Sequence, residues 1–275
     1  MKNLNPKKKF GQNFLSDENI LSKIADCADI TEDDDILEIG PGTGNLTKIL
    51  ASRARSVTAI EIDRDLIPFV TVAAEPYGNT KVINADVMKS DIKSLIPADS
   101  GRLKVVANIP YYITTPLVTK LLTCGISFES LVLLVQKEVA VRMAASPGSK
   151  DCGAISCFVS WRAKPAIMFE VPPEAFYPVP KVTSALIRLD LLKDPPFSVS
   201  DEELMFSIIR AGFELRRKTL VNAIAADSGL SWRFSKEMVS KALSELSIDL
   251  NIRAERLTLL DFGALADLLA RKEKK

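Results

Sequence analysis

The chain has 275 residues, 47% hydrophobic and 26% charged, with 36 Lys+Arg against 35 Asp+Glu and a formal net charge of +1. That balance excludes a largely disordered chain and gives no bulk electrostatic footprint of a nucleic-acid binder, so any such role requires a local basic patch. Histidine is absent, which excludes Ser–His–Asp and Cys–His catalysis and imidazole metal ligation.

The four cysteines, Cys27, Cys124, Cys152 and Cys157, form no C-x-x-C pair; reduced thiols and no metal site are expected. No segment approaches the ~20 apolar residues of a membrane span. Lys2 and Lys7–Lys9 are followed by no apolar stretch of the signal-peptide kind. The expectation is a soluble, cytoplasmic chain.

Ser16-Asp17-Glu18 marks a helix start, a capping hydroxyl followed by acids, and Ile20, Leu21, Ile24, Ala25 and Ala28 recur at helical spacing. Ile36–Ile39 reads as a first strand ending at glycine, with a helix after the turn around Leu46, Ile49 and Leu50. Val57–Ile60, Lys81–Asn84, Leu103–Ala107 and Leu131–Val135 read as four more strands. Helices around Leu66–Ala74, Pro116–Thr123 and Glu138–Ala144 fall between or after them. This alternation means a parallel sheet covered on both faces. Residues 155–170 and 182–192 read as later strands able to close the sheet as a hairpin. The punctuation changes at Lys193–Ser198, and Ser200 to Glu203 fits a capping box. Helical patterns follow near 204–213, 217–226, 234–246 and 261–271. The expected organisation is an α/β domain over 1–193, a Rossmann-like sheet, and a small all-α domain over 194–275.

Glu38-Ile39-Gly40-Pro41-Gly42-Thr43-Gly44-Asn45 joins the first strand to a helix. Glycines there permit a tight turn and a close backbone approach by a ligand. Asn45 stands where a dinucleotide fingerprint requires glycine, and no P-loop is present. Glu61 closes the second strand, where a carboxylate can accept from both hydroxyls of a ribose, and Asp86 lies just beyond the third, in reach of an adenine amino group. Strand-end acids behind such a loop describe a site for an adenosine cofactor without a pyrophosphate, a description that S-adenosylmethionine suits.

Asn108-Ile109-Pro110-Tyr111 follows the fourth strand, beside the same crevice. Pro110 fixes its own φ and biases Ile109 to an extended conformation. The Asn108 side-chain oxygen and a carbonyl near Pro110 are the acceptors that methylation of an adenine N6 would need, although the turn also admits a plain strand-terminating role with Tyr111 packed in the core. They favour the pyramidal nitrogen of a methyl-transfer transition state and require no general base. Tyr111 supplies an aromatic face for the base.

The chain is identified by these motifs as a member of the ribosomal RNA adenine N6-dimethyltransferases. Phe10–Leu15 (FGQNFL) resembles the family's N-terminal signature, Phe176–Ser184 (FYPVPKVTS) its F-x-P-x-P-x-V-x-S segment, and the match extends to Phe213–Leu220. The resemblance implies a methyltransferase that uses S-adenosylmethionine. It is nearest to the subgroup that dimethylates two adjacent adenosines near the 3′ end of 16S ribosomal RNA within the small ribosomal subunit. It further implies that Asn13 and Leu15 contact the methionine end of the cofactor, near Gly40 and Gly42, that Glu61 holds the ribose and Asp86 the adenine, and that Asn108 faces both cofactor and target amine. Tyr111 and Phe176 would sandwich the adenine. Phe176 also admits a simpler role as the anchor of its proline-rich loop.

Two basic clusters, Lys7–Lys9 and Arg216–Lys218, are candidate phosphate contacts. The expected partner is assembled small-subunit RNA with the target adenine unstacked in a hairpin loop, and no metal, no membrane and a monomer are expected. Three alternatives stay open: a large-subunit RNA methyltransferase, an assembly checkpoint factor that acts mainly by binding, and an adenine-DNA methyltransferase.

Overall fold

The computed structural model describes residues 6–7, 10–97 and 100–273. The chain divides into two compact units, residues 1–140 with 164–191, and residues 141–163 with 192–275. The second unit is discontinuous in sequence and takes in residues 141–163 ahead of the stretch that begins at Leu192.

In the first unit β1 (Phe14–Leu15), α1 (Glu18–Cys27), β2 (Asp34–Ile39), α2 (Asn45–Ala51), β3 (Ser56–Glu61), α3 (Ile67–Ala74) and β4 (Thr80–Asn84) come first. They are followed by α4 (Ile92–Leu95), β5 (Arg102–Asn108), α5 (Thr114–Thr123) and β6 (Phe128–Gln136), and α6 (Lys137–Ala144) leads the chain out. β7 (Ala163–Val171), β8 (Phe176–Tyr177) and β9 (Ser184–Leu191) return to it. The α1 cap is Asp17, not Ser16: its carboxylate accepts from the Asn19 and Ile20 N–H groups at 2.9 and 3.2 Å, and a charged acceptor there also complements the helix dipole.

The seven-stranded sheet has the order β4-β3-β2-β5-β6-β9-β7. β2 pairs in parallel with β3 and β5, β3 with β4, and β5 with β6, while β9 runs antiparallel to β6. Every residue of β2 is buried, as expected of a central parallel strand with both faces covered. The chain leaves β2 outward through β3 and β4, then returns to the other side of β2 as β5. The carboxyl ends of β2 and β5 therefore flank the crevice where open α/β sheets bind ligands. A separate ladder pairs Phe14 with Tyr177 and Leu15 with Phe176; at two residues per strand it is too short to leave a periodic signal.

The helical unit comprises α7 (Ala154–Arg162), α8 (Glu202–Glu214), α9 (Leu220–Ala226), α10 (Lys236–Glu245) and α11 (Leu259–Glu273). The strand expected over 155–170 is thus a helix as far as Arg162 and a strand only beyond it. Its run of Ile, Cys, Phe, Val and Trp has β propensity, but packing decides. Cys157 and Trp161 are buried in one cluster with Leu204, Ile208, Phe234 and Phe262, and the Ser156 hydroxyl accepts the Gly153 N–H at 2.9 Å to seal the helix start. The expected capping box shifts by one residue: Asp201 caps α8 through the Leu204 N–H at 2.8 Å, and the Ser200 hydroxyl instead donates to Asp267 at 2.6 Å. Among the described residues no helix is long and apolar enough to cross a membrane.

One charged pair lies inside the first unit. Lys104 on β5 and Asp34 on β2 are both fully buried; the Lys104 ammonium donates to the Asp34 carboxylate at 2.9 Å and to the Asp29 carbonyl at 2.6 Å. Burial pushes the Asp34 carboxyl up, but Lys104 and the Thr31 N–H and hydroxyl outweigh it and hold it below its usual value. A depressed carboxyl contributes stability above its unfolded pKa and loses it as the pH falls through the folded one. Lys104→Ala is therefore expected to cost about 3–5 kcal/mol in urea unfolding at neutral pH, because it removes the buried counter-charge of Asp34 and leaves that carboxylate only the Thr31 donors and the half-exposed Arg102 guanidinium at 3.4 Å. The deficit shrinks in acid as Asp34 is protonated; a deficit unchanged by acid would assign the loss to packing.

Candidate active site

The site is built on three left-handed glycines. Gly40, Gly42 and Gly44 have φ of +70°, +61° and +81°, a region costly for other residues. At Gly44, which opens α2, a Cβ would also lie 2.7 Å from the Ala73 Cβ and 3.1 Å from the Val70 Cα, so only glycine lets α2 start this close to α3. The loop bends over the end of β2, and its Gly42 N–H donates to the Glu61 carboxylate at 3.1 Å.

Glu61 ends β3 almost fully buried, and its other oxygen accepts the Asp63 N–H at 2.8 Å. Burial raises its pKa, and these backbone N–H groups oppose the rise. The two bonds fix the carboxylate plane and leave further lone pairs for a ligand. Asp86, after β4, is braced by the Met88 N–H at 2.9 Å, with Lys89 at 3.7 Å from its second oxygen. Glu38, on β2 just before the loop, is 1% exposed, and its Oε2 has no hydrogen-bond partner. Burial pushes Glu38 up to about 8, reinforced by the Glu61 carboxylate; the Thr47 hydroxyl opposes this without a well-directed hydrogen bond.

Asn108 ends β5, and its Nδ2 donates to the Asn13 carbonyl at 3.2 Å. An amide whose nitrogen is so engaged presents its oxygen as the free end. In the adjoining turn Pro110 has φ −56° and ψ 129°. Its carbonyl accepts the Ile113 N–H at 3.1 Å, the Ile109 N–H donates to Leu134, and none of the turn's bonds falls on the Ile109 carbonyl. The Tyr111 hydroxyl meets the Ser184 hydroxyl at 2.8 Å, which fixes the tyrosine ring; burial raises its pKa, and Ser184 opposes this.

These groups line one cavity of about 310 Å³, a volume within the range of small-molecule sites. Among the sequence candidates Asn13, Leu15, Gly40, Gly42, Glu61, Asp86, Asn108, Pro110 and Tyr111 are all in its wall. Phe176 is not. It is 3% exposed, pairs with Leu15 and packs in the core with Leu15, Leu21 and Val171. Of the basic N-terminal cluster, Lys8 and Lys9 lie outside the described residues, and Lys7 is engaged by Asp63 and Asp65, both at 2.6 Å.

Glu38, Gln12, Phe14 and Tyr112 also line the cavity without having been singled out. Glu38 carried a signal, a lone acid in an apolar strand; Gln12 and Tyr112 carried none outside a motif. Among the described residues the wall holds the carboxyl groups of Glu38, Glu61 and Asp86 and no Lys or Arg. Such a wall repels a di- or triphosphate and suits an adenosine ligand that carries an ammonium and a sulfonium. The orphan oxygen of Glu38 is an acceptor for a cationic N–H.

A carboxyl with a raised folded pKa binds more protons folded than unfolded, so its contribution falls as the pH rises from the unfolded value toward about 8. Glu38→Gln is expected to raise the melting temperature of the ligand-free protein at pH ~8 and to leave it unchanged near pH ~4, where both forms are neutral. It also weakens S-adenosylmethionine binding by calorimetry. A variant with lower stability at the higher pH would contradict this assignment.

Residues 3–271 match the family model for ribosomal RNA adenine dimethylases. The chain is 47% identical over 270 residues to ribosomal RNA small subunit methyltransferase A of Lachnoclostridium phytofermentans, covering 97% of this chain and 92% of that protein. It is 44% identical to the protein of that name from Clostridium acetobutylicum, covering 96% and 94%. Among solved structures, a dimethyladenosine transferase from Plasmodium falciparum superposes with a TM-score of 0.80 at 29% identity, covering 95% of this chain and 98% of that one. The 23S rRNA methyltransferase ErmE superposes at 0.71 and 26% identity, covering 94% and 100%. With its acid-lined cavity and the Asn108 turn on a methyltransferase sheet, the chain belongs to the ribosomal RNA adenine dimethylase family.

Proposed function

We propose that this protein binds S-adenosylmethionine in the cavity and transfers methyl groups to adenine N6 in small-subunit ribosomal RNA, in the cytoplasm. The product is N6,N6-dimethyladenosine at two adjacent positions in a hairpin loop near the 3′ end of 16S ribosomal RNA. The observation that carries this reading is the Asn108 amide, tied by its nitrogen to the Asn13 carbonyl in the wall of an acid-lined cavity.

S-adenosylmethionine, when bound, supplies an electrophilic methyl group on a sulfonium. Glu61 takes the ribose hydroxyls, Asp86 the adenine amino group and Glu38 the ammonium, while Asn13, Leu15, Gly40 and Gly42 wall the methionine end. An adenine N6 lone pair is delocalised into the ring and is a poor nucleophile. In the first transfer the Asn108 oxygen and the Ile109 carbonyl accept its two N–H bonds, in the second they share the one that remains, and both favour the pyramidal nitrogen; each N–CH3 bond forms as the S–CH3 bond breaks, and one N–H proton leaves to water. Pro110 keeps that carbonyl in place, and alignment of nitrogen, methyl and sulfur in the cavity supplies much of the remaining rate.

The target base stacks on Tyr111, a contact worth ~1–3 kcal/mol, with the exposed Tyr112 beside it and Phe176 kept in the core as loop anchor. Arg217 and Lys218, exposed in the turn before α9, contact phosphates; Arg216 is partly engaged by Glu255 at 3.2 Å. Such contacts orient the RNA and do not read its sequence. The names of relatives at 44–47% identity, against 26% for the large-subunit enzyme, support the small-subunit target.

Asn108→Ala is expected to lower methyl transfer to unmodified small subunits by about 10²–10³-fold, chiefly in kcat. Tyr111→Ala raises the KM for the particle, and Tyr111→Phe, which loses only the Ser184 contact, stays near wild type. An Asn108→Ala enzyme with undiminished kcat would overturn the mechanism. One that methylates nothing yet restores subunit maturation would make binding the main cellular task.

A further inference from the structure

Methyl transfer requires the Asn108 amide to be held with its oxygen toward the cavity. The partner that holds it, the Asn13 carbonyl, belongs to the N-terminal segment, which is itself tethered at a second place. The Gln12 Nε2 donates to the Asp63 carboxylate at 2.9 Å, and the Gln12 Oε1 accepts the Lys7 N–H at 2.7 Å. The Lys7 ammonium donates to the other Asp63 oxygen at 2.6 Å. Asp63 is 3% exposed, and its own N–H donates to Glu61. On the far side of Asn13 the segment is held by the β1–β8 ladder and by Asn45, whose side chain donates to the Leu15 carbonyl at 3.3 Å.

We propose that Asp63 is a positioning residue for methyl transfer: it anchors the N-terminal segment through Gln12 and Lys7, and the anchored segment, through the Asn13 carbonyl, holds the Asn108 amide with its oxygen toward the cavity. The inference rests on the reading of Asn108 given above. Asn13 sits between two fixed points, the Gln12–Asp63 bond and the ladder that starts at Phe14, so its carbonyl has little freedom to leave Asn108. With the Asp63 side chain removed, Gln12 loses its partner, and on that side the segment keeps only the exposed Lys7–Asp65 ion pair at 2.6 Å. The Asn108 amide then loses its reference and turns its NH₂ group, a donor, toward the amine it must accept from. Because the Asp63 N–H also braces Glu61, a single residue ties the ribose acceptor to the catalytic amide.

The test uses the full chain with Gln12→Ala, Asp63→Ala and the double variant. Gln12 is only partly buried, so Gln12→Ala keeps the question open to experiment even if Asp63→Ala folds poorly. With saturating S-adenosylmethionine and unmodified small subunits, each single variant is expected to lose about 10- to 100-fold in kcat without a matching rise in the KM for the particle. The double variant loses no more than the worse single one, because both changes cut the same tether. A second readout needs no turnover. In protein labelled with ¹⁵N-asparagine, the Asn108 side-chain NH₂ signal, identified by its absence in Asn108→Ala, exchanges slowly in the wild type and quickly in Gln12→Ala. If the wild type methylates nothing, the reading of the site fails, yet the exchange measurement still decides the tether. Losses that multiply in the double variant, an unchanged kcat, or a reduced kcat with the Asn108 signal still protected would each overturn the proposal.

Discussion

A carboxamide is ambiguous: one end donates, the other accepts, and the two differ little in shape. The hydrogen bond from the Asn108 nitrogen to the Asn13 carbonyl removes that ambiguity, and the proposed chemistry depends on it. The sheet brings Asn108 to the crevice because β5 is the strand that returns beside β2. The ladder between β1 and β8 brings Asn13 to Asn108. Pro110 stiffens the next peptide, so that the second acceptor does not wander. With no histidine in the chain, the rate enhancement is placed in fixed dipoles and alignment and not in proton transfer.

Charge is distributed to the same end. A net charge of +1 hides a cavity wall with three carboxyl groups and no cationic side chain among the described residues, together with an exposed basic turn at Arg216–Lys218 in the helical unit. The first selects a cationic nucleoside cofactor over a nucleotide; the second suits a polyanionic partner. Glu38 marks how far the cavity is tuned, since a carboxyl with an unpartnered buried oxygen and a pKa near 8 is costly in the empty protein and gains a partner when a cation arrives.

Much of this was legible in the chain itself. Gly40, Gly42 and Gly44 signal a left-handed backbone that is costly for other residues, and Glu61, Asp86 and Asn108 stand at strand ends, whose position follows from the alternation of apolar runs. Interactions that act over long separations in sequence were not legible. β1 and β8 are two residues each, with Leu15 paired to the distant Phe176, and their pairing sets Phe176 beside the core residue Leu15. Lys7 read as a free basic residue because nothing local reveals Asp63. Residues 155–162 have the composition of a strand, and only the packing of Cys157 and Trp161 in the helical core makes them a helix.

The most direct measurement is a single-turnover reaction of the purified protein with labelled S-adenosylmethionine and small ribosomal subunits from a strain lacking this modification, with the product nucleosides separated and identified. The account predicts label in N6,N6-dimethyladenosine at two adjacent positions near the 3′ end of 16S ribosomal RNA. Label in any other nucleoside, or none in dimethyladenosine, would contradict it.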